Sequence, residues 1–478
     1  MSEKKENKIS QLFKQAGPAL FAVTGLIQVV FAVLWAFKRG GAGSAFYESV
    51  RFEELAAAGQ MSDIYLCGYT AFVRASMTLA ALFGIDYKEI CCFIQIAISF
   101  VAFCESIKTV YFAEHMKGIK LEKAILGALW ILTVPFVWHM QFCILPDAVC
   151  LALLTVLASK LYAFYIDNAH FHWDLLYVAA GSLLLLGLTD RKYFYCAVLL
   201  CFITSAVKLI RGISPRLRNR FSMLVAGSLI AVILASAFIT DKAVSISVKQ
   251  TMSTESGYTP SRELLNRFVY PYLPDAFNSL SDDSKALITD PSTDEVIIKV
   301  SGLRYTYDYM YEKFVPKIEE YTGSKNAGGI YREMASIIFK GNYKTIGKKL
   351  LKEVVSYEFI PVFSLRYIFG NVDSYYGYNL YDFWGESPVL SGLYMKAGML
   401  GFALAFIYCA AANVAKFVRK KNLRLRMAGK TAMILGSLLA FNILAAVLSV
   451  QKFDYRIGLF ACVVWGELFL FRTLIGKA

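Results

Sequence analysis

The sequence predicts an all-α, multi-pass membrane protein, and three observations carry that prediction. Of the 478 residues 57% are hydrophobic and 15% aromatic, while 18% are charged, against about 25% charged in an ordinary soluble domain. The apolar residues gather into separate runs, each near the roughly 20 residues that a helix needs to cross the hydrocarbon core. The bases, which leave a net charge of +14, sit in short loops between those runs and so report orientation rather than a nucleic-acid partner. A soluble protein and a nucleic-acid binder are excluded on these grounds. The ten cysteines lie in or beside apolar runs with no CxxC or Cys/His ligand spacing, which indicates neither a disulfide framework nor a zinc site.

Ten runs are long enough to span: residues 17–37, 89–113, 124–142, 148–166, 173–189, 193–210, 221–240, 389–415, 431–450 and 456–473. The first is followed by Lys38, Arg39 and Gly40 without a small-residue cleavage site, so it reads as a membrane helix and not as a signal peptide. Lys208, Arg211, Arg216, Arg218 and Arg220 share a loop with no acid, and residues 416–430 carry seven bases and no acid. Both loops are therefore expected in the cytoplasm, together with both termini. Residues 65–84 are semi-apolar. A span there would put either the N-terminal tail or the 116–123 loop on the wrong side, so a helix on the outer interface is expected, in keeping with Arg74; a spanning helix is the alternative. On this topology Glu48, Glu53, Glu54, Asp63, Asp86, Asp147, Asp190 and Asp454 all fall in non-cytoplasmic connections, many of them at span ends.

The resulting organisation is a cytoplasmic tail (1–16), a seven-span core (17–240), an extracytoplasmic domain (241–388) and three C-terminal spans (389–478). The 241–388 stretch is too long for a connecting loop and reads as mostly helical, as in Ile346, Leu350, Leu351, Val354 and Val355. At its end Tyr375, Tyr376, Tyr378, Tyr381, Phe383 and Trp384 lie among Asn371, Asp373, Asn379 and Asp382. Aromatic faces beside amides and carboxylates suit a sugar ring, whose C–H face stacks while its hydroxyls pair; an aromatic belt before a membrane helix is the other reading.

The first outside loop runs Ala45-Phe46-Tyr47-Glu48-Ser49-Val50-Arg51, then Ala56-Ala57-Ala58-Gly59, Asp63-Ile64-Tyr65 and Gly68-Tyr69, and ends at Leu82-Phe83-Gly84. It resembles the opening of polyprenyl-phosphate-sugar-dependent glycosyltransferases of the GT-C superfamily, of the protein mannosyltransferase and aminoarabinose transferase type. Leu145-Pro146-Asp147-Ala148, Leu188-Thr189-Asp190-Arg191-Lys192 and Phe453-Asp454-Tyr455-Arg456 add to the likeness, which covers mainly residues 15–240 and the last span. The resemblance implies a GT-C-like bundle with two interfacial helices within 45–84. Gly43 and Ser44 stand where the family usually carries an acid, so the general base is left open between Asp63 and Glu48.

Sugar transfer from a lipid phosphate needs a carboxylate to take the acceptor's proton and positive charge where the phosphate departs. Asp63 and Glu48 are the candidates for the base, and Arg191, Lys192 and Arg456 for the phosphate. Asp147, Asp190, Asp454, Tyr455, His139 and Trp384 are the candidates for holding sugar or acceptor. No protein metal site is assigned, and a divalent cation is left open. The expected partners are a polyprenyl-phosphate-linked sugar, a glycan, lipid or protein acceptor and the membrane itself, in the cell membrane. A polymerase or ligase of lipid-linked oligosaccharides is the alternative within this chemistry. A transporter or flippase of a lipid-linked or anionic substrate, using an intramembrane acid such as Glu467, is the alternative from another class.

Overall fold

The computed structural model describes residues 47–60, 66–113, 141, 144–166, 173–213 and 220–251, with short pieces inside 281–283, 335–351 and 374–379. They form helices α1 (Tyr47–Ala58), α2 (Cys67–Phe83), α3 (Tyr87–Ala113), α4 (Asp147–Ile166), α5 (Trp173–Thr189), α6 (Arg191–Ile213) and α7 (Arg220–Thr251). A two-residue antiparallel ladder pairs β1 (Ser374–Tyr375) with β2 (Tyr378–Asn379) inside the aromatic stretch. The runs expected at 17–37, 389–415, 431–450 and 456–473, and 124–142 apart from Gln141, lie outside the described residues.

Local chemistry sets most of the helix ends. At the end of α1, Gly59 takes φ 67°, its N–H donates to Ala56 O (3.3 Å) and that of Gln60 to Leu55 O (2.9 Å). This is the left-handed glycine cap that satisfies the last carbonyls of a helix. Gly84, at φ 66°, ends α2 in the same way, with Ile85 N–H donating to Ala80 O (3.2 Å). Asp86 then caps α3, its Oδ1 accepting from Lys88 N–H at 3.0 Å. Asp190 serves two helices. Its N–H donates to Leu186 O in the last turn of α5 (2.8 Å), while its Oδ1 accepts from Lys192 N–H at the start of α6 (2.8 Å).

Helices α4, α6 and α7 are long and apolar enough to cross a membrane, over Asp147–Tyr165, Arg191–Ile210 and Arg220–Val244. Helix α4 is the central one. It is buried over 72% of its apolar window against 33% for α7, and it packs against α3, α5 and α6. Its buried residues Leu154, Leu157, Leu161 and Phe164 line one side and Ala148, Ala152, Ser159 and Ala163 the opposite side, as an interior helix requires. By contrast α7 leaves Phe221, Leu224, Leu234, Phe238 and Ile239 more than half exposed, a surface suited to lipid. The expected span boundaries agree with these helices to within three residues except at the end of α7. Hydropathy falls at Asp241, but Val244 and Val248 keep the helical spacing and no Gly or Pro intervenes, so the helix continues to Thr251.

Polar contacts fix how the helices run. Lys160 of α4 meets Glu105 of α3 and Asp174 of α5, each at 2.9 Å, and Lys208 of α6 lies over the Phe164 ring of α4. At the other end Tyr193 of α6 meets Asp147 of α4 and Arg191 meets Asp241 of α7. Thus α3, α4 and α6 run one way and α5 and α7 the other. Within 45–84 the chain forms the two helices α1 and α2. They pack on α3 through a cluster of Phe52, Ala56, Tyr69, Val73, Cys91 and Ile144, with the Phe52 and Tyr69 rings edge to face at 4.8 Å.

Two glycines let helices touch. A Cβ at Gly68 of α2 would lie 2.7 Å from Leu188 O, and one at Gly187 of α5 would lie 2.5 Å from Thr240 Cγ2. Gly181 and Gly227 face open space. Gly68→Ala and Gly187→Ala are each expected to destabilise the fold by about 1–3 kcal/mol through overpacking. Gly181→Ala and Gly227→Ala should be neutral or stabilising through helix propensity. Thermal unfolding of the four variants in lipid nanodiscs measures the difference.

Candidate functional site

The residues of interest gather at the end of the bundle where α5 turns into α6. Asp147 opens α4 there. Its backbone is set by Pro146, whose carbonyl accepts the first helical bond from Cys150 N–H at 2.9 Å, and a first-turn carboxylate is favoured by the positive end of the helix dipole. Asp147 is only 3% exposed, so its carboxylate needs donors. The Tyr193 hydroxyl donates to Asp147 Oδ1 at 2.6 Å. Because Tyr193 lies in the first turn of α6, this bond brings the head of α4 to the Asp190 junction. The Cys150 thiol accordingly lies within electrostatic reach of both Asp147 and Asp190. Arg191 follows directly, its side chain 10% exposed and its Nη2 3.4 Å from Asp241 Oδ1.

A second polar line enters the same end from the first-loop helices. The Tyr69 hydroxyl of α2 donates to Gln95 Oε1 of α3 at 2.7 Å, and Gln95 Nε2 donates to the backbone carbonyl of Gln141 at 3.0 Å. Burial first, then the neighbouring Cys91 and Cys92, pushes the Tyr69 phenol well above its usual range, so it stays a donor. Gln141 is 1% exposed, and among the described residues neither its Oε1 nor its Nε2 has a hydrogen-bond partner. Such an amide can serve a hydroxyl-bearing ligand or an ordered water. Glu53 of α1 ties to the start of α3, lying 3.7 Å from Lys88 Nζ. Burial and the Glu53 carboxylate, to which its hydroxyl bonds, push the Tyr87 phenol above its ordinary value.

The opposite end holds a separate charge cluster. Lys160, with 13% of its side chain exposed, bridges Glu105 and Asp174. Glu105 reaches from α3 across to Lys160 of α4, while the Lys108 side chain, three residues on along the same helix, lies outside the described set. Lys208, read from sequence as a loop base, is 3% exposed, its Nζ 4.7 Å from the Phe164 centroid, because α6 is still helical there and turns it toward α4.

Of the candidate residues, Asp147, Asp190, Arg191 and Lys192 come together at one end of the bundle. Glu48 lies on α1 with its side chain outside the described set. Asp63, His139, Trp384, Asp454, Tyr455 and Arg456 lie outside the described residues. Among the described residues no three His, Cys, Asp or Glu side chains are grouped to hold a metal ion. Tyr69, Gln95, Gln141, Tyr193 and Asp241 carry contacts to which the sequence alone assigned no role. Two amides and two tyrosines inside or beside apolar runs are the signal, since polar groups there must find partners. Compared with protein-family models, curated proteins and solved structures, the chain matches none.

Tyr193→Phe removes the donor to a buried carboxylate, and Tyr69→Phe removes the donor to a buried amide. Each is expected to lower stability by about 1–3 kcal/mol, whereas Tyr177→Phe, at an exposed position of α5, should leave it unchanged. Denaturant or thermal unfolding in nanodiscs gives the three values.

Proposed function

We propose that the chain is an integral-membrane glycosyltransferase of GT-C type that moves a sugar from a polyprenyl-phosphate carrier to a cell-envelope glycan, lipid or protein acceptor. What supports the reading most is the convergence at one bundle end of two carboxylates, Asp147 and Asp190, with the cations Arg191 and Lys192, beside the first-loop helices whose sequence carries the resemblance. In this reading the Asp190 end faces the outer leaflet, the large 241–388 domain is extracytoplasmic and both termini are cytoplasmic.

The acceptor hydroxyl attacks the anomeric carbon, the bond from that carbon to the phosphate oxygen breaks, and the polyprenyl phosphate leaves as an anion. Asp63 or Glu48 takes the hydroxyl proton. Arg191, Lys192 and Arg456 neutralise the charge that grows on the departing phosphate, in a low-dielectric setting where fixed cations act strongly. Asp147, held by Tyr193, and Asp190 offer acceptor oxygens to sugar hydroxyls, while Asp454, Tyr455, His139 and Trp384 hold the remainder of sugar or acceptor.

The test is transfer by the full chain in nanodiscs from a panel of polyprenyl-phosphate sugars to envelope acceptors, read as a covalent product. The Asp63→Asn, Glu48→Gln double variant is expected to lose about a hundredfold or more in rate, the scale of general-base catalysis. A normally folded double variant that transfers at the wild-type rate would remove the mechanism. Substrate movement into vesicles without any covalent product would point to a transporter instead.

A further inference from the structure

The pairing of Arg191 with Asp241 is unequal. The Arg191 guanidinium has 10% of its side chain exposed and Asp241 has 61%. An arginine cannot shed its charge, so a mostly buried one needs a counter-charge at all times. Asp241 supplies one at 3.4 Å, longer than the 2.7–2.9 Å of a strong charge-assisted bond. Its carboxylate keeps most of its hydration, so swinging it into water costs little, while the guanidinium cannot follow. Backbone movement is restricted on both sides. Thr240 is wedged against Gly187 at a distance that admits no Cβ, and the capping bond of Asp190 to Lys192 N–H pins the turn that carries Arg191. Only the Asp241 side chain is free to leave. Lys242, exposed beside it, adds a second cation on the water side.

We propose that Asp241 is a displaceable counter-ion: it occupies Arg191 in the empty protein and is replaced there by the phosphate group of the ligand, whose oxygens fit the guanidinium fork bidentately. The inference rests on the donor reading above and adds the residue that sets how tightly that site takes a phosphate. A carboxylate that must be expelled weakens every phosphate ligand by the strength of the pair it replaces. It also returns when the spent carrier leaves, which favours product release.

Binding to the full chain in nanodiscs tests this without any transfer step, with a polyprenyl phosphate as one probe and inorganic phosphate as the other. Asp241→Asn and Asp241→Ser, both at an exposed position, are expected to tighten polyprenyl phosphate by about threefold to fivefold, the range that an exposed ion pair supplies. In an Arg191→Gln background the same substitutions should change nothing. Tightening of both probes means that the site reads the phosphate group itself, and tightening of the lipid alone means that it reads a membrane-held headgroup; either supports the proposal. Wild-type binding that Asp241→Asn leaves unchanged or weakens overturns the inference and spares the donor reading. So does tightening that persists without Arg191, which reports a general field. A wild-type protein that binds neither probe removes the donor reading and this inference with it.

Discussion

A carboxylate placed among apolar helices must be paired, and Asp147 shows how far that requirement reaches. At 3% exposure it has little access to water, and the 2.6 Å bond from Tyr193 helps keep an acid at the head of α4. That bond fixes the register of α6 against α4. The register in turn puts Asp190, already shared between the end of α5 and the cap of α6, beside the same helix head, with Arg191 next in line. The close approaches at Gly68 and Gly187 then bring α2 and α7 onto that junction, where Leu66, Leu188 and Val244 pack together. Removing the acid would relax the need for the tyrosine, and with it the reason for this end of the bundle to be so closely built.

The two ends of the bundle solve the problem of charge in an apolar setting differently. At one end Lys160 stands between two carboxylates on two other helices and Lys208 rests on an aromatic face, so each cation is matched from within the bundle. At the other end the Arg191–Asp241 ion pair is longer and more exposed. Arg191 has a water-facing partner at a long distance, Lys192 lies at the start of α6, and Gln141 keeps a buried amide without a partner among the described residues. On the proposed reading, this end is where a phosphate would meet the cations and a sugar hydroxyl the buried amide.

Much of the described architecture is legible in the sequence because hydropathy and helix length are both local. The helix boundaries of α3 to α6 follow from apolar runs, and the caps at Gly59, Gly84, Asp86 and Asp190 follow from residue type. Hydropathy misled at the end of α7, where the helix outlasts the apolar run because Val244 and Val248 keep the spacing after the charges begin. The acids expected outside prove to have different local tasks: Asp86 caps α3 and Glu53 binds α1 to α3, while Asp147 and Asp190 meet at the junction. Sequence alone treats them as one set because all four fall in the expected non-cytoplasmic connections. The partners Tyr193, Gln95 and Asp241 were not legible, since each lies 46 or more residues from the group it serves, and nothing local marks such a pairing.

The central claim is that a phosphate-bearing lipid is held at the Asp190 end. The most direct measurement is photocrosslinking of the full chain in nanodiscs with a polyprenyl phosphate carrying a diazirine beside its phosphate, followed by mass-spectrometric mapping. The account predicts labelled peptides from the α5–α6 junction, residues 187–195, and from α7 around Asp241, with labelling suppressed by unmodified polyprenyl phosphate. Labelling confined to the Lys160 and Lys208 end, or labelling at the junction that unmodified carrier does not suppress, would contradict it.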